Sequence, residues 1–160
     1  MTTVRRLEPR DRRQLRDLAS RNYMEQFQQA QPIDPGDAAL TAYVTHIVQL
    51  QDSGKGVVMV AEREDRLIGF VCLLAPDKAA TADDGEDSCA FMSDLYVVPE
   101  CRQAGVGSLL TRALETQARS TGAGRIVLRV AADNAVARGF YAKEGYEENF
   151  VVMSKKLSGR

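Results

Sequence analysis

Apolar and polar positions recur with two different periods along the chain. Residues 4–7 form a short run suited to a strand, stopped by Pro9. From Asp11 onward, Leu15, Leu18, Ala19, Tyr23 and Phe27 repeat at helical spacing, which predicts a helix with one apolar face. Residues 32–37 are rich in Pro, Gly and Asp and break the pattern. A second helix is expected after them, with Asp37 as its N-cap and Leu40, Tyr43, Val44, Ile47 and Val48 as its apolar stripe. His46 falls off that stripe and is expected to face solvent. Gly54 and Gly56 end this helix. Residues 57–61 and 67–74 read as strands joined by a hairpin turn at Glu64 and Asp65, and residues 91–98 as a strand that stops at Pro99.

Beyond Pro99 the period changes again. Val106, Leu109, Leu110, Ala113, Leu114 and Ala118 predict an amphipathic helix that begins at Gly105 and Gly107. Residues 125–130 are β-rich, and a last helix is expected to carry Asn134, Ala137, Phe140 and Tyr141. Residues 146–156 read as two further strands with a break near Glu148 and Asn149. The order βααβββαβαββ argues for an α/β fold, a mixed sheet with helices on both faces. No repeat, linker or second domain interrupts it, so residues 1–160 are expected to form one domain.

Composition narrows the class only a little. Hydrophobic residues make up 44 % and charged residues 27 %, and the net charge is −1, which gives no global reason to expect nucleic acid or membrane as a partner. No apolar run approaches the ~18 residues of a membrane span, and no apolar signal core follows the N-terminus. Cys72, Cys89 and Cys101 are odd in number, lack C-x-x-C spacing and accompany a single His. Neither a disulfide nor a metal site is expected, and a reducing cytoplasm follows. Cys72 is expected to be a small buried apolar residue. Cys101, beside the glycine turn, stays open as a reactive thiol.

Two charged segments have two readings each. Arg5, Arg6, Arg10, Arg12, Arg13, Arg16 and Arg21 make the first helix basic at its start; they are a solvated face or a contact for a partner or phosphate. Asp83, Asp84, Glu86 and Asp87 lie in an acidic small-residue loop, a hairpin tip or an attractor for a cationic acceptor.

The turn after Pro99 carries the sharpest chemistry. Gly105 and Gly107 allow a ligand close to the backbone, and the helix that starts there presents N–H groups without intrahelical partners. Its dipole favours an anion, and a pyrophosphate is the natural guest, with Arg102 as a charge at the rim. A Walker A loop would need a Lys after the last glycine, which is absent, and a dinucleotide fingerprint fails because Leu110 stands at the third glycine. The pattern R-x-x-G-x-G after a strand, from Arg102 to Gly107, fits in full.

That pattern resembles the acyl-CoA loop of the GNAT acetyltransferase superfamily. A second stretch, Asn134-x-x-Ala137-x-x-Phe140-Tyr141-x-x-x-Gly145-Tyr146, is similar to the family's other signature and stands at the expected distance. The resemblance is specific over residues 91–150 and diffuse before them. It implies a single-domain fold with a mixed, mostly antiparallel sheet whose fourth and fifth strands splay apart. It further implies acetyl-CoA as acyl donor, with the pantetheine bonded to the backbone of Leu95, Tyr96 and Val97. Arg102, Gln103, Ala104, Gly105, Val106, Gly107 and Ser108 would hold the pyrophosphate, with Asn134 and Ala137 completing the cofactor contacts. Asn134 is alternatively a simple helix cap. Tyr141 matches the residue that protonates the departing thiolate; it is alternatively a core aromatic. Related enzymes often carry Glu just before Asp on the fourth strand. Here Ser93 precedes Asp94, so Ser93 cannot act as base. Asp94 could serve through a water, or be structural. The implied activity is N-acetylation of a small-molecule, peptide or protein amine by direct attack, without a metal. A catalytically degenerate acyl-CoA binding or sensing module is the alternative. A homodimer is expected by analogy with the family alone.

Overall fold

The computed structural model describes residues 1–27, 37–75 and 88–157. The acidic cluster of Asp83, Asp84, Glu86 and Asp87, and the break at residues 32–36, lie outside them. The chain forms two compact units, residues 1–128 and residues 129–160.

The first unit holds β1 (Thr3–Arg6), α1 (Arg12–Phe27), α2 (Ala38–Gln49), β2 (Gly56–Arg63), β3 (Arg66–Leu74), β4 (Cys89–Val97), α3 (Val106–Ser120) and β5 (Arg125–Val127). Short 3-10 turns, Pro9–Asp11 and Pro99–Cys101, precede α1 and the glycine turn. The strands lie in the order β1-β2-β3-β4-β5. The first four pair antiparallel and β5 joins β4 in parallel, which is the mixed, mostly antiparallel sheet that was expected. Strand β3 is buried along most of its length, as a central strand covered on both faces must be.

Helices cover both faces of this sheet. Glu25 of α1 and Tyr43 of α2 bond to Tyr96 and Asp94 of β4 from one side. On the other side α3 lies so close to β3 that a Cβ on Gly69 would stand 3.1 Å from Leu110 Cδ1 and 2.7 Å from the Tyr96 carbonyl oxygen. Leu15, Ile47, Leu50, Phe70, Leu110 and Leu114 are among the largest fully buried side chains of the core.

Local chemistry explains most boundaries. Asp37 caps α2 as expected, its Oδ1 accepting from the Ala39 N–H at 2.9 Å. Glu64 and Asp65 turn the β2–β3 hairpin with φ of 51° and 59°, the left-handed pair that matches strand twist. His46 is exposed. Before α1, Asp11 accepts both Arg5 Nη atoms and the Glu8 N–H, tying β1 to the start of the helix.

Two expectations are corrected. Leu109 was placed on the apolar face of α3, yet it is 43 % exposed and Thr111 is buried instead. Leu109 lies at the margin of a stripe centred on Val106, Leu110, Leu114 and Ala118. In the second unit, α4 spans Ala135–Lys143, and residues 146–157 carry no strand where two were read. Phe150, Val151, Val152 and Met153 are all largely exposed. A run of four apolar residues has no alternation to assign an inner face, so composition alone does not supply it with a pairing register.

Candidate functional site

The site is built on β4, which has an unpaired edge. Val98 N–H donates to the Ile68 carbonyl at 2.9 Å, so the even-numbered residues Val98, Tyr96 and Asp94 direct their backbone groups to β3. Leu95 and Val97 therefore aim theirs the other way. Strand β5 pairs only with Cys89, Ala90 and Phe91, and among the described residues no strand continues along the edge beyond. β5 ends at Val127, so where a splay of the fourth and fifth strands was expected the described residues show a β4 edge left without a strand partner beyond Phe91. Leu95 N–H and C=O and Val97 N–H form a short row able to bond an extended, amide-bearing ligand. The Val97 carbonyl is already taken by Arg102 Nε at 2.8 Å.

Ser93 marks the point where the edge opens. Cys72 pairs with Asp94 and Leu73 with Met92, so Ser93 is the extra residue of a β-bulge. Its Oγ is buried without a hydrogen-bond partner. A bulge here re-aims Asp94 relative to the strand before it.

The open edge runs into the glycine turn. Gln103 has φ 60° and Gly105 φ 79°, two left-handed residues in one tight turn. Gly105 is the N-cap of α3, and the first helical bond is Leu109 N–H to the Gly105 carbonyl at 3.0 Å. Val106 and Gly107 thus fall where helix N–H groups have no intrahelical acceptor. The positive end of a 15-residue helix adds to them. Gln103, Ala104 and Gly105 are exposed, so an anion has access.

Arg102 was expected as a charge at the rim, and the structure gives it protein partners as well. Its Nη2 pairs with Glu25 Oε2 at 2.6 Å, and the guanidinium carbon stands 5.5 Å from the Tyr96 ring centroid. Glu25 Oε1 accepts from the Tyr96 hydroxyl at 3.2 Å. Burial, then the Glu25 carboxylate, push the Tyr96 hydroxyl up to about 12, so it remains a donor. These groups flank a cleft of about 290 Å³ lined by Arg21, Met24, Glu25, Tyr96, Pro99 and Glu100.

Asp94 sits two residues before Tyr96 on the same face. Its Oδ1 accepts from the Tyr43 hydroxyl at 2.7 Å. The Tyr43 oxygen accepts from Asn22 Nδ2 at 2.7 Å, and Asn22 Oδ1 accepts from Gln26 Nε2 at 3.1 Å. Burial above all, with the Asp94 charge second, holds the Tyr43 hydroxyl far above the ordinary phenol range. Buried Cys72, the pairing partner of Asp94, is likewise pushed up by burial and then by Asp94, so it stays a thiol.

Glu25 and Asn22 escaped notice in the sequence, and Tyr43 was read only as part of an apolar stripe. One signal was available: Asn22 follows Leu15 by two turns and Leu18 by one, so a polar residue occupies a core position of α1. It is 3 % exposed. Cys101 is half-buried, with its Sγ 4.0 Å from Arg63 Nη1.

The second unit carries the other predicted residues. Asn134 is the N-cap of α4, its Oδ1 accepting from the Ala137 N–H at 3.0 Å. Its carboxamide oxygen is thus engaged in the helix. Tyr141 is half-buried, edge-on to Phe140 at 5.2 Å and to Tyr146 at 5.5 Å. Arg138 bridges Glu148 and the Ala132 carbonyl. Among the described residues no group of three or more His, Cys, Asp or Glu could hold a metal ion.

Residues 12–146 match the profile of the acetyltransferase (GNAT) family. A Bacillus subtilis relative, the uncharacterized N-acetyltransferase YhfO, is 28 % identical over 127 residues, 79 % of this chain and 78 % of the relative. A putative acetyl transferase from Pyrococcus furiosus superposes with a TM-score of 0.73 at 25 % identity, over 98 % of this chain and all of that one (100 %). The PaiA N-acetyltransferase of Thermoplasma acidophilum, solved in complex with coenzyme A, shares the fold at a TM-score of 0.70 and 20 % identity, over 92 % of this chain and 90 % of that one.

Proposed function

The chain belongs to the acetyltransferase (GNAT) family, and on that premise we propose that it transfers the acetyl group of acetyl-CoA directly to an amine nitrogen. The observation that carries this reading is the unpaired β4 edge at Leu95 and Val97 running straight into the N-terminus of α3. A pantetheine arm has two amides and suits the first; a pyrophosphate suits the second. We assign the arm to the backbone of Leu95 and Val97; Tyr96, expected beside them, has its own N–H and C=O turned to β3 and can offer only its side chain. The pyrophosphate is assigned to residues 103–108. Arg102 reaches it by exchanging Glu25 for phosphate. Asn134 and Ala137 are assigned to the cofactor by their motif.

Acetyl-CoA supplies an activated carbonyl with a thiolate leaving group. The amine lone pair forms the new C–N bond as the C–S bond breaks. Asp94 takes the surplus amine proton through a water. Tyr141 donates its phenolic proton to the sulfur as the C–S bond breaks, so that coenzyme A leaves as the thiol, and the phenol then takes a proton back from solvent. A Leu95 or Val97 N–H polarises the carbonyl in the reacting geometry. No disulfide joins the cysteines among the described residues, and no helix there is long and apolar enough to cross a membrane. A cytoplasmic enzyme, working as a homodimer on the family's pattern, fits the proposal.

A panel of amines, from polyamines and aminoglycosides to peptide α-amines, tests it with acetyl-CoA and detection of released thiol. Acceptor-dependent thiol release with at least one class is expected. Saturable acetyl-CoA binding with no turnover across the panel would replace the enzyme by a binding or sensing module, which the Ser93 substitution favours.

A further inference from the structure

We infer that Tyr43 is a positioning residue for amine acetylation: it fixes the Asp94 carboxylate from α2 and is itself oriented by Asn22 of α1. This inference rests on Asp94 being the proton acceptor proposed above.

The hydrogen bonds have one consistent direction. Asp94 accepts only, so the Tyr43 proton must point at its Oδ1. The Tyr43 oxygen can then only accept, which fixes the Asn22 amide with Nδ2 toward Tyr43 and Oδ1 toward Gln26. Gln26 therefore donates to Asn22, Asn22 to Tyr43 and Tyr43 to Asp94, without a break. Asn22 is almost wholly buried and Tyr43 largely so, so each lost partner would leave a polar group without water to replace it. The ring of Tyr43 is further held against Tyr23, with centroids 5.3 Å apart.

The geometry leaves Asp94 one working oxygen. Oδ1 is occupied by Tyr43, while Oδ2 has no partner among the described residues. Around the carboxylate, β3 contributes the neutral thiol of Cys72 and α2 the neutral phenol of Tyr43. Asn22 and Gln26 of α1 are uncharged. Two residues along β4, the Glu25 and Arg102 pair stands at Tyr96, and Arg21 also acts on the Tyr96 hydroxyl. Among the described residues no cation pairs with Asp94, so its charge is available to a protonated amine. A carboxylate that must meet an amine and a water needs a fixed direction, and pairing of the Asp94 backbone with Cys72 beside the Ser93 bulge does not orient the side chain. Tyr43 does. The same chain ties both helices of the N-terminal half to the reacting strand.

A double-mutant cycle on the full chain tests this, using Tyr43→Phe, Asp94→Asn and the pair. The assay is acetyl-CoA turnover with the best amine of the panel, with far-UV circular dichroism on each variant. Tyr43→Phe should lower kcat by about tenfold while leaving the KM for acetyl-CoA unchanged. In the Asp94→Asn background the same change should add nothing. Asn22→Leu, which removes the donor to Tyr43 at similar volume, should show the same dependence on Asp94 with a smaller loss, and it serves if Tyr43→Phe fails to fold. Equal losses in both backgrounds would overturn the inference, since Tyr43 would then act elsewhere. Wild-type turnover in Tyr43→Phe beside a slow Asp94→Asn would overturn the positioning role and leave Asp94 as base. Wild-type turnover in Asp94→Asn would remove Asp94 as the base, and the positioning role with it.

Discussion

Replacing Asp11 by Asn should destabilise the protein by about 2 kcal/mol near pH 7, and this loss should fade in acid. Asp11 is 2 % exposed. Its carboxylate accepts Arg5 Nη1 at 2.6 Å, Arg5 Nη2 at 2.9 Å and the Glu8 N–H at 2.8 Å. Breaking a buried charge pair by removing one partner costs roughly 3–5 kcal/mol. The lower figure applies here because Glu62 still bonds Arg5 Nε at 2.7 Å, so the guanidinium keeps an anion. The hydrogen bonds from Arg5 hold the Asp11 carboxyl below its ordinary 3.8, although burial opposes them. A depressed carboxyl gives stability that is present above the ordinary value and lost as pH falls through the folded one. The gap in urea-unfolding free energy between wild type and Asp11→Asn should therefore shrink between about pH 5 and the acid end of the transition. An equal gap at both ends would show that shape, not charge, holds this corner. The corner matters to the site because it launches α1, which carries Asn22 and Glu25 to β4.

Two further substitutions separate chemistry from packing. Tyr141→Phe keeps the ring that meets Phe140 and Tyr146 edge-on, so folding and acetyl-CoA affinity should survive while kcat drops by at least about tenfold; a normal kcat with a lowered melting temperature would make Tyr141 a core aromatic. Thr111→Val removes a fully buried hydroxyl that has no partner among the described residues and should raise stability by about 1 kcal/mol in urea unfolding, whereas a loss would show that the hydroxyl is satisfied.

What the sequence disclosed was local. The Asp37 cap, the Glu64–Asp65 turn and the helix that begins at Gly105 each follow from a few neighbouring residues, and all three stand in the structure. The Glu64–Asp65 turn implied one antiparallel pair, and the mostly antiparallel sheet was what the family resemblance implied. What stayed hidden depends on residues far apart in the chain. Glu25 meets Arg102 across 77 positions, and Tyr43 meets Asp94 across 51. Residue type announced neither pair: Arg102 read as a phosphate ligand and Tyr43 as part of an apolar stripe. Leu109 was misplaced because a helical stripe has soft margins, and Thr111 shows a polar residue taking the inner place. The apolar run of residues 150–153 looked like a strand by composition, but a strand is defined by its partner.

Calorimetric titration with acetyl-CoA tests the central claim, that the β4 edge and the α3 N-terminus form the cofactor site. The wild type should be compared with Gly107→Val, which alters the first turn of α3 and leaves the β4 edge intact. The account predicts saturable binding by the wild type and none by the variant, with matching circular dichroism. Equal affinity in the two proteins would contradict it.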